Sequence, residues 1–343
     1  MSMSTIGIIG LGPMGHRYVE AIQMLPEPVK IAVTDLRTDV IEQAKAKYPI
    51  QEFSVYTNHE DMLKSEQLDV LIIATNGPSH YSLFLDAIKF GVNRVICEKP
   101  IATSIRQAQE MVSIAREKGV KLAVNHGRRW AADYLLLREK LKSGVIGPVE
   151  SMMFSMGGGQ MGCNGTHFID LASFLLDDKV EQVCGFLNDE GVPNPRGANF
   201  KDPGGYAIIH FSAGTRMFFE LTEDLGIPPV LVINGKYGRI TVNELQRSYF
   251  IEARNEQDRE LPVTRYGTPL HETQTCKLEL NIIEFCQNLL MNMLQDHIPA
   301  NPQFAVDALE TVVGIHYSHH LGNKVINLPI TDEEYCNKLF SFT

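Results

Sequence analysis

The first 125 residues alternate between short apolar runs and longer segments in which apolar residues recur with helical spacing. The apolar runs predict β-strands at about residues 5–9, 29–34, 69–74, 92–97 and 121–125. The segments between them, such as 14–24 and 105–118, predict α-helices. Strands that alternate with helices form a parallel sheet with helices on both faces. The pattern therefore predicts a doubly wound α/β domain over residues 1–125.

Beyond the last of these strands the pattern becomes that of shorter strands joined by tight turns. Residues 134–143 predict a helix and residues 149–156 a strand. Glycine turns such as SAGT and NGKYG favour antiparallel pairing of further strands, at about residues 180–188, 205–211, 215–222, 229–234 and 238–243. The longest predicted loop, DEGVPNPRGANFKDPGG, could reach a substrate or a neighbouring subunit. Helices at about 273–296 and 303–322 complete a second α/β domain, residues 126–343.

A glycine-rich turn, GLGPMG, begins at Gly10 between the first predicted strand and its helix. Here Gly10 permits a tight turn, Gly12 lets the backbone approach a pyrophosphate, and Gly15 lets the helix pack against the strand. The second strand ends at Asp35, whose carboxylate can accept hydrogen bonds from the ribose hydroxyls of NAD and would repel the 2′-phosphate of NADP. Arg37 could instead bind that phosphate, so the segment predicts NAD, with NADP possible.

Polar residues follow most of the predicted strands of the first domain. The stretch NRVICEKPIA places Glu98, Lys99 and Pro100 directly after a buried strand. Because ligands of parallel sheets bind beyond the carboxyl ends of the strands, these end residues are expected to face one crevice. The residues predicted to contact the cofactor are Gly10, Gly12, Pro13, Met14, Gly15, Asp35, Arg37, Thr75, Asn76, His80, Glu98 and Lys99.

Three motifs resemble those of the Gfo/Idh/MocA family of glucose-fructose oxidoreductase and inositol dehydrogenase. They are GLGPMG at 10–15, EKP at 98–100 and GTHFID at 165–170, in the family's order and spacing. The resemblance implies an N-terminal Rossmann domain and a larger α/β domain whose open, mainly antiparallel sheet often carries the subunit interface. It also implies NAD or NADP, a sugar, sugar derivative or cyclic polyol as substrate, and a homodimer or homotetramer.

Two residues suit the oxidation of a secondary alcohol, which needs a base for the hydroxyl proton and a cation near its oxygen. His167 lies in the first turn of a predicted helix that Thr166 could cap, where the helix dipole disfavours protonation of the imidazole. Lys99 would stand beside the nicotinamide. In the family, the lysine and the histidine of these motifs are the catalytic pair, so the resemblance assigns those roles to Lys99 and His167.

Three residues near these motifs are candidates for substrate contact. Asp170 lies one helical turn after His167, and Asn164 lies in a glycine-rich segment, 157–165, that is predicted to be a loop. Arg129 belongs to the stretch NHGRRW at the domain junction. In relatives the matching arginine lies near the nicotinamide or the substrate, whereas an interdomain salt bridge is the alternative.

One position departs from the family pattern. Inositol-type dehydrogenases carry an aspartate four residues before the histidine, and Cys163 occupies that position here. A neutral thiol relays protons poorly, so His167 would act alone or Lys99 would share the proton transfer. Two other functions stay open. One is a redox-neutral enzyme that retains its NAD, of the glycosidase or epimerase type, and the other is a non-catalytic NAD(P)-sensing regulator.

The composition excludes several other classes of function. The net charge of −10 disfavours binding to nucleic acid or to anionic lipid. The six cysteines include no CxxC pair and therefore favour neither a disulfide framework nor a zinc site. No apolar run reaches the length of about eighteen residues that would predict a membrane span. His316, His319 and His320 have helical spacing, but a packed or solvated helix face is favoured over a metal site. A cytoplasmic enzyme without a metal or signal peptide is therefore expected.

Overall fold

The computed structural model describes residues 3–48, 53–188, 193–264 and 267–342. No helix within these ranges is long and apolar enough to cross a membrane. The first domain consists of β1 (Ser4–Ile9), α1 (Pro13–Gln23), β2 (Val29–Thr34), α2 (Thr38–Lys47), β3 (Phe53–Tyr56), α3 (His59–Ser65), β4 (Val70–Ile73), α4 (Gly77–Lys89), β5 (Arg94–Glu98), α5 (Ile105–Lys118) and β6 (Lys121–Asn125).

The first sheet is parallel throughout, with strand order β3-β2-β1-β4-β5-β6. This order confirms the predicted doubly wound α/β domain. The order reverses between β1 and β4, and in such sheets the ligand crevice lies at the carboxyl ends of these two strands. Strand β3 was not predicted, because its four residues, FSVY, are only half-buried or exposed and form no long apolar run.

The second domain begins with a 3₁₀ turn, Gly127–Trp130, and has a π-helical segment, Met161–Gly165, before its second helix. Another 3₁₀ turn spans Glu256–Glu260. Its helices and strands are α6 (Ala132–Lys142), β7 (Val149–Gly157), α7 (Thr166–Leu176), β8 (Val180–Leu187), β9 (Gly205–Phe211), β10 (Arg216–Thr222), β11 (Val230–Gly235), β12 (Gly238–Asn243), β13 (Ser248–Ala253), β14 (His271–Lys277), α8 (Ile282–Leu294), α9 (Gln303–His320), β15 (Ile326–Asn327) and α10 (Glu333–Asn337).

The second sheet has nine strands in the order β14-β13-β12-β11-β7-β10-β9-β8-β15. Its neighbours pair antiparallel except β7 and β10, so the predicted mainly antiparallel sheet is confirmed. The helix predicted at 273–296 is wrong in its first part, which forms the edge strand β14. Asn281 accepts hydrogen bonds from the backbone N–H groups of Ile283 and Glu284, and this cap starts α8 only at Ile282.

Helix α8 belongs to the second half of the chain but packs on the first domain. Cys286, Leu289, Leu290 and Met293 are buried in one apolar cluster with Tyr18 of α1. Burial of four such side chains is the main stabilising term available to this contact. The helix therefore fixes the second domain against the helix that follows the glycine turn.

Candidate active site

The glycine turn joins β1 to α1 and leaves the N-terminus of α1 accessible. Gly10 has a φ of +94°, which L side chains rarely adopt, and a Cβ on Gly15 would lie 2.1 Å from the Gly10 carbonyl oxygen. Gly12 is the N-cap of α1, without a side-chain cap, and a Cβ there would meet nothing within 4 Å. Pro13 and Met14 form the first turn. Open space above unpaired helix N–H groups fits a pyrophosphate.

Asp35 connects the end of β2 to the glycine turn. Its Oδ2 accepts a hydrogen bond of 2.7 Å from the Leu11 N–H, and its Oδ1 accepts one of 2.9 Å from the Arg37 N–H. The Arg37 side chain is 64% exposed, with its Nε 4.0 Å from Asp35 Oδ1. The carboxylate is thus fixed beside the turn, as a ribose acceptor must be, while the arginine projects towards solvent.

The turn between β4 and α4 holds three of the predicted cofactor residues. The Thr75 hydroxyl lies 2.7 Å from the Ser79 hydroxyl, and Asn76 is the exposed N-cap of α4. His80 is fully buried, with Nδ1 2.8 Å from the Pro100 carbonyl oxygen and Nε2 3.1 Å from that of Thr75. The predicted contact of His80 with the cofactor stays a prediction, and its imidazole joins the turn after β4 to the segment after β5.

Glu98 also lies deeper than the sequence predicted. Its Oε1 accepts hydrogen bonds from the Tyr18 hydroxyl at 3.0 Å and from Asn125 Nδ2 at 2.8 Å. Glu98 is 5% exposed, and burial raises the pKa of its carboxyl. The carboxylate joins α1, β5 and β6, and its contact with the cofactor stays a prediction.

Lys99 extends from the end of β5 towards the second domain. Its Nζ lies 2.9 Å from the carbonyl oxygen of Cys163 and 3.2 Å from the Cys163 Sγ. The peptide between Lys99 and Pro100 is cis. Lys99 therefore connects the carboxyl edge of the parallel sheet with the segment that leads into α7.

His167 is the second residue of α7. Burial lowers the pKa of His167 well below its usual value, and the positive charges of Lys99 and Arg128 lower it further. The ring centroids of His126 and His167 are 5.9 Å apart. The chain is already helical from Met161, so His167 is not at a free helix end. Burial and neighbouring cations, rather than the predicted helix dipole, thus keep this imidazole neutral.

Two arginines at the domain junction pair with carboxylates. Arg128 donates to Glu244 through Nε at 2.6 Å and through Nη2 at 2.7 Å. Arg129 Nε donates to both oxygens of Asp170, at 2.7 and 2.8 Å. Asp170 is 1% exposed, and burial raises its pKa to about 7 against the opposing effect of Arg129. Asp170 is thus held by a salt bridge that occupies Arg129 Nε, and direct contact of Asp170 with substrate stays a prediction.

The glycine-rich segment is helical in its second half, where a loop was predicted. Strand β7 continues to Gly157, and the π-helical segment begins at Met161. The Thr166 hydroxyl donates to the Gly162 carbonyl oxygen at 3.0 Å, so Thr166 is not the predicted cap. Asn164 is half-buried, and its Nδ2 donates to the Gly159 carbonyl oxygen at 3.0 Å.

Asp202 holds the start of this helical segment, and sequence patterns did not identify it. Its carboxylate accepts hydrogen bonds from the backbone N–H groups of Gly162 at 2.6 Å and Cys163 at 2.8 Å. Asp202 comes from the loop DEGVPNPRGANFKDPGG, whose residues 189–192 lie outside the described ranges. The sequence signal that could have identified Asp202 was the prediction that this long loop could reach a substrate.

A cavity of about 430 Å³ lies at the other end of α7. Arg129 and Phe304 form part of its wall, and the Arg138–Asp177 ion pair of 2.5 Å borders it. His167 is at the N-terminal end of α7, and neither His167 nor Lys99 lines this cavity. Among the described residues, no group of three His, Cys, Asp or Glu side chains is arranged to hold a metal ion.

Comparison with known proteins agrees with this geometry. Residues 4–126 match the GFO_IDH_MocA model, described as an oxidoreductase family with an NAD-binding Rossmann fold. Inositol 2-dehydrogenase/D-chiro-inositol 3-dehydrogenase of Shouchella clausii is 26% identical over 245 residues, or 68% of this chain and 66% of that protein. Myo-inositol 2-dehydrogenase of Thermotoga maritima is 22% identical over 191 residues, or 52% and 56% of the two lengths. The aligned parts thus span less than two thirds of these relatives.

The fold is shared over nearly the whole chain. A levoglucosan dehydrogenase solved in complex with NADH and levoglucosan superposes with a TM-score of 0.79 at 16% identity. The superposition covers 96% of this chain and 100% of that one, so both domains and their order agree. Residues 4–126 therefore match the NAD-binding Rossmann domain of the Gfo/Idh/MocA oxidoreductases, and the chain as a whole shares the fold of the solved levoglucosan dehydrogenase.

Proposed function

We propose that the protein is an NAD(P)-dependent oxidoreductase with Lys99 and His167 as its catalytic pair. It would transfer a hydride between the nicotinamide and a secondary alcohol or ketone of a sugar, nucleotide sugar or cyclic polyol. The observation that carries the proposal is the 2.9 Å contact between Lys99 Nζ and the carbonyl oxygen of Cys163, four residues before His167. The inositols and levoglucosan named for the relatives are cyclic compounds with secondary hydroxyl groups.

The two side chains divide the work of alcohol oxidation. His167, neutral because its pKa is lowered, accepts the proton of the substrate hydroxyl. Lys99 donates a hydrogen bond to the same oxygen as negative charge develops on it. In the direction of ketone reduction, the protonated His167 returns the proton. Arg129 and Asn164 are proposed to line the substrate pocket, and Asp170 to orient Arg129 from below.

The cofactor site favours NAD. The turn from Gly10 to Gly15 and the N-terminus of α1 would hold the pyrophosphate. Asp35, fixed by the Leu11 and Arg37 N–H groups, would accept the ribose hydroxyls. Thr75 and Asn76, at the end of β4, would contact the middle of the cofactor. Arg37 remains the residue through which NADP could bind.

A second candidate function is a redox-neutral reaction in which NAD stays bound. The observation that favours it is Cys163, whose Sγ lies 3.2 Å from Lys99 Nζ where inositol-type enzymes have a carboxylate. A non-catalytic regulator is less favoured, since both Lys99 and His167 are present.

Identification of any dinucleotide bound to the purified protein distinguishes the dehydrogenase hypothesis from the redox-neutral one. Freshly purified protein is denatured, and mass spectrometry identifies any NAD, NADH or NADP released and its molar ratio to the chain. Release of one NAD per chain would favour the redox-neutral hypothesis. An empty protein that binds NADH reversibly, and NADPH more weakly because of Asp35, would favour an ordinary dehydrogenase. Failure to bind either nucleotide would contradict the cofactor assignment.

Lys99→Met tests the catalytic pair. Turnover is measured with NAD and with myo-inositol, levoglucosan and related sugars, and NADH affinity is measured by fluorescence titration. Loss of the donor to the developing oxyanion is expected to lower kcat by about 10²- to 10³-fold, with NADH affinity retained. Lys142→Met, a lysine whose side chain is 45% exposed, is the matched control and should be unchanged. A fully active Lys99→Met variant would show that the assignment is wrong.

The second sheet is proposed to carry a homo-oligomer interface. Its outer face exposes Met153 by 49%, Tyr206 by 40% and Ile208 by 38%. Exposed apolar rows of this kind mark interaction surfaces.

A further inference from the structure

We infer that Asp202 is a positioning residue of this site, which holds Lys99 through the backbone of Gly162 and Cys163 and supplies the negative charge that the side chain at position 163 lacks. The inference adds a residue to the proposed reaction. It rests on the proposed function only where turnover is the readout.

Asp202 contacts the π-helical segment through both of its carboxylate oxygens. One carboxylate oxygen accepts the Gly162 N–H at 2.6 Å and the other accepts the Cys163 N–H at 2.8 Å. Asp202 is 7% exposed, and the next residue, Pro203, accepts the Met161 N–H at 3.0 Å. Three consecutive N–H groups at the start of this helical segment are therefore held by two neighbouring residues of one loop. These three hydrogen bonds fix the position and the orientation of the backbone at Cys163.

Cys163 in turn contacts Lys99. The carbonyl oxygen and the Sγ of Cys163 both lie within hydrogen-bond distance of Lys99 Nζ, at 2.9 and 3.2 Å. Both acceptors belong to the residue whose N–H is bound by Asp202. A displacement of that residue would therefore move both acceptors of Lys99. Cys163 is thus the single residue that links Asp202 to the Lys99 ammonium group.

Neither acceptor that Lys99 finds on Cys163 is a carboxylate. The acceptors that Cys163 offers to Lys99 are a carbonyl and a thiol. Asp202 is close enough for the two side chains to interact electrostatically, since Lys99 opposes the burial that raises the pKa of Asp202 to about 6. Glu223 is the other charged group facing Asp202, and it works in the opposite direction to Lys99. Its Oε1 is held by the Gly204 N–H at 2.6 Å. Asp202, from a second loop, thus contributes a negative charge that interacts electrostatically with Lys99.

Asp202→Asn tests both functions, because asparagine has a similar volume but no charge and turns an NH₂ group towards one backbone N–H. Lys99 reactivity is followed without substrate, by reductive methylation of the full-length protein with formaldehyde and cyanoborohydride and quantification of the Lys99 peptide by mass spectrometry. Without its countercharge and its fixed acceptors, Lys99 is expected to be modified about threefold faster or more. Asp202→Ser, which also lacks the charge, should behave in the same way.

Asp178→Asn is the matched control. Asp178 likewise accepts two backbone N–H groups, those of Lys179 and Ala213 at 2.8 Å each, but on the surface at the far end of α7. Its substitution should leave the modification of Lys99 unchanged. Equal modification rates in wild type, Asp202→Asn and Asp178→Asn would overturn the inference. Failure of both neutral Asp202 variants to fold would also overturn it, since Asp202 would then be a structural cap.

Turnover gives a second readout on any substrate identified with the wild type. Asp202→Asn is expected to lower kcat by about 10- to 100-fold through misplacement of Lys99, with NADH affinity unchanged. The wild type should lose activity as pH falls through about 6, where Asp202 is protonated, and the variant should lack this step. If Lys99→Met is inactive while Asp202→Asn is normal in rate and pH profile, the inference alone fails. If Lys99→Met is fully active, the proposed function fails, and the methylation rates still test Asp202.

Discussion

The arginine–carboxylate ion pairs of the second domain differ in how deeply they are buried. Glu244 accepts two hydrogen bonds from Arg128 and one of 2.7 Å from the Tyr134 hydroxyl, and its side chain is 11% exposed. Glu244→Gln would leave the Arg128 guanidinium, 18% exposed, without a countercharge. We expect the free energy of unfolding to fall by about 3–5 kcal/mol, measured by urea denaturation.

Asp177→Asn provides the comparison for this prediction. Asp177 also pairs with an arginine, Arg138, at 2.5 Å, but its side chain is 66% exposed. Its substitution should change stability by only about 0.2–1 kcal/mol. Combining Glu244→Gln with Arg128→Met should restore part of the loss, because the unpaired charge is removed with its partner. Equal effects of the two single substitutions would contradict the importance of burial.

The sequence predicted many site residues by position but not by orientation. A strand's end indicates that Glu98 and Lys99 lie at the carboxyl edge of the sheet, yet one side chain turns inward to Tyr18 and the other outward to Cys163. His80 has the same ambiguity and is buried. Asp202 is 39 residues from Cys163 in the chain, and no local spacing indicates a contact that tertiary packing creates.

Helix α8 joins the two halves of the chain. Leu290 is fully buried against α1, whereas Ile282 at the start of the same helix is 41% exposed. Leu290→Ala should lower the free energy of unfolding by about 2–5 kcal/mol, because it removes buried methyl groups and leaves a cavity in the first domain. Ile282→Ala should change it by less than about 0.5 kcal/mol. Thermal unfolding followed by circular dichroism in each variant measures both effects.

The unfolding profile of Leu290→Ala also reports on how the domains depend on each other. A single transition shifted to lower temperature is expected, since α8 belongs in sequence to one domain and in packing to the other. Loss of only a separate first-domain transition would show that α8 does not couple the two.

Elements with regular patterns were predictable, and elements determined by caps or edges were not. Strand β9 alternates strictly between buried and exposed residues, and its predicted bounds agree with the structure. In contrast, the Asn281 cap places the start of α8 at Ile282. Asp202 binds backbone N–H groups in the part of the glycine-rich segment that is helical. Both effects depend on single side-chain contacts with backbone N–H groups, which apolar periodicity does not report.

The second sheet presents an apolar row that crosses four neighbouring strands. Ile208 pairs with Phe218, Phe218 with Met153, and Met153 with Val232, so their side chains share one face. Tyr206, two residues before Ile208, stacks on Phe186 with ring centroids 4.8 Å apart. Burial of this row between two copies of the chain would remove a large apolar surface from water, which favours association through the sheet.

Ile208→Lys places a charge in the middle of this row. We expect the wild type to sediment as a dimer or a tetramer and the variant as a single chain of 38.4 kDa, because an interface of this kind cannot bury an unpaired ammonium. His210→Lys, on the same face of the same strand but beyond the row, should keep the wild-type mass. Monomeric wild type, or Ile208→Lys with an unchanged mass, would show that the row does not hold the subunits together. Retention of NADH binding by Ile208→Lys would then show that a weakened interface, and not unfolding, caused the change in mass, since the glycine turn lies in the other domain.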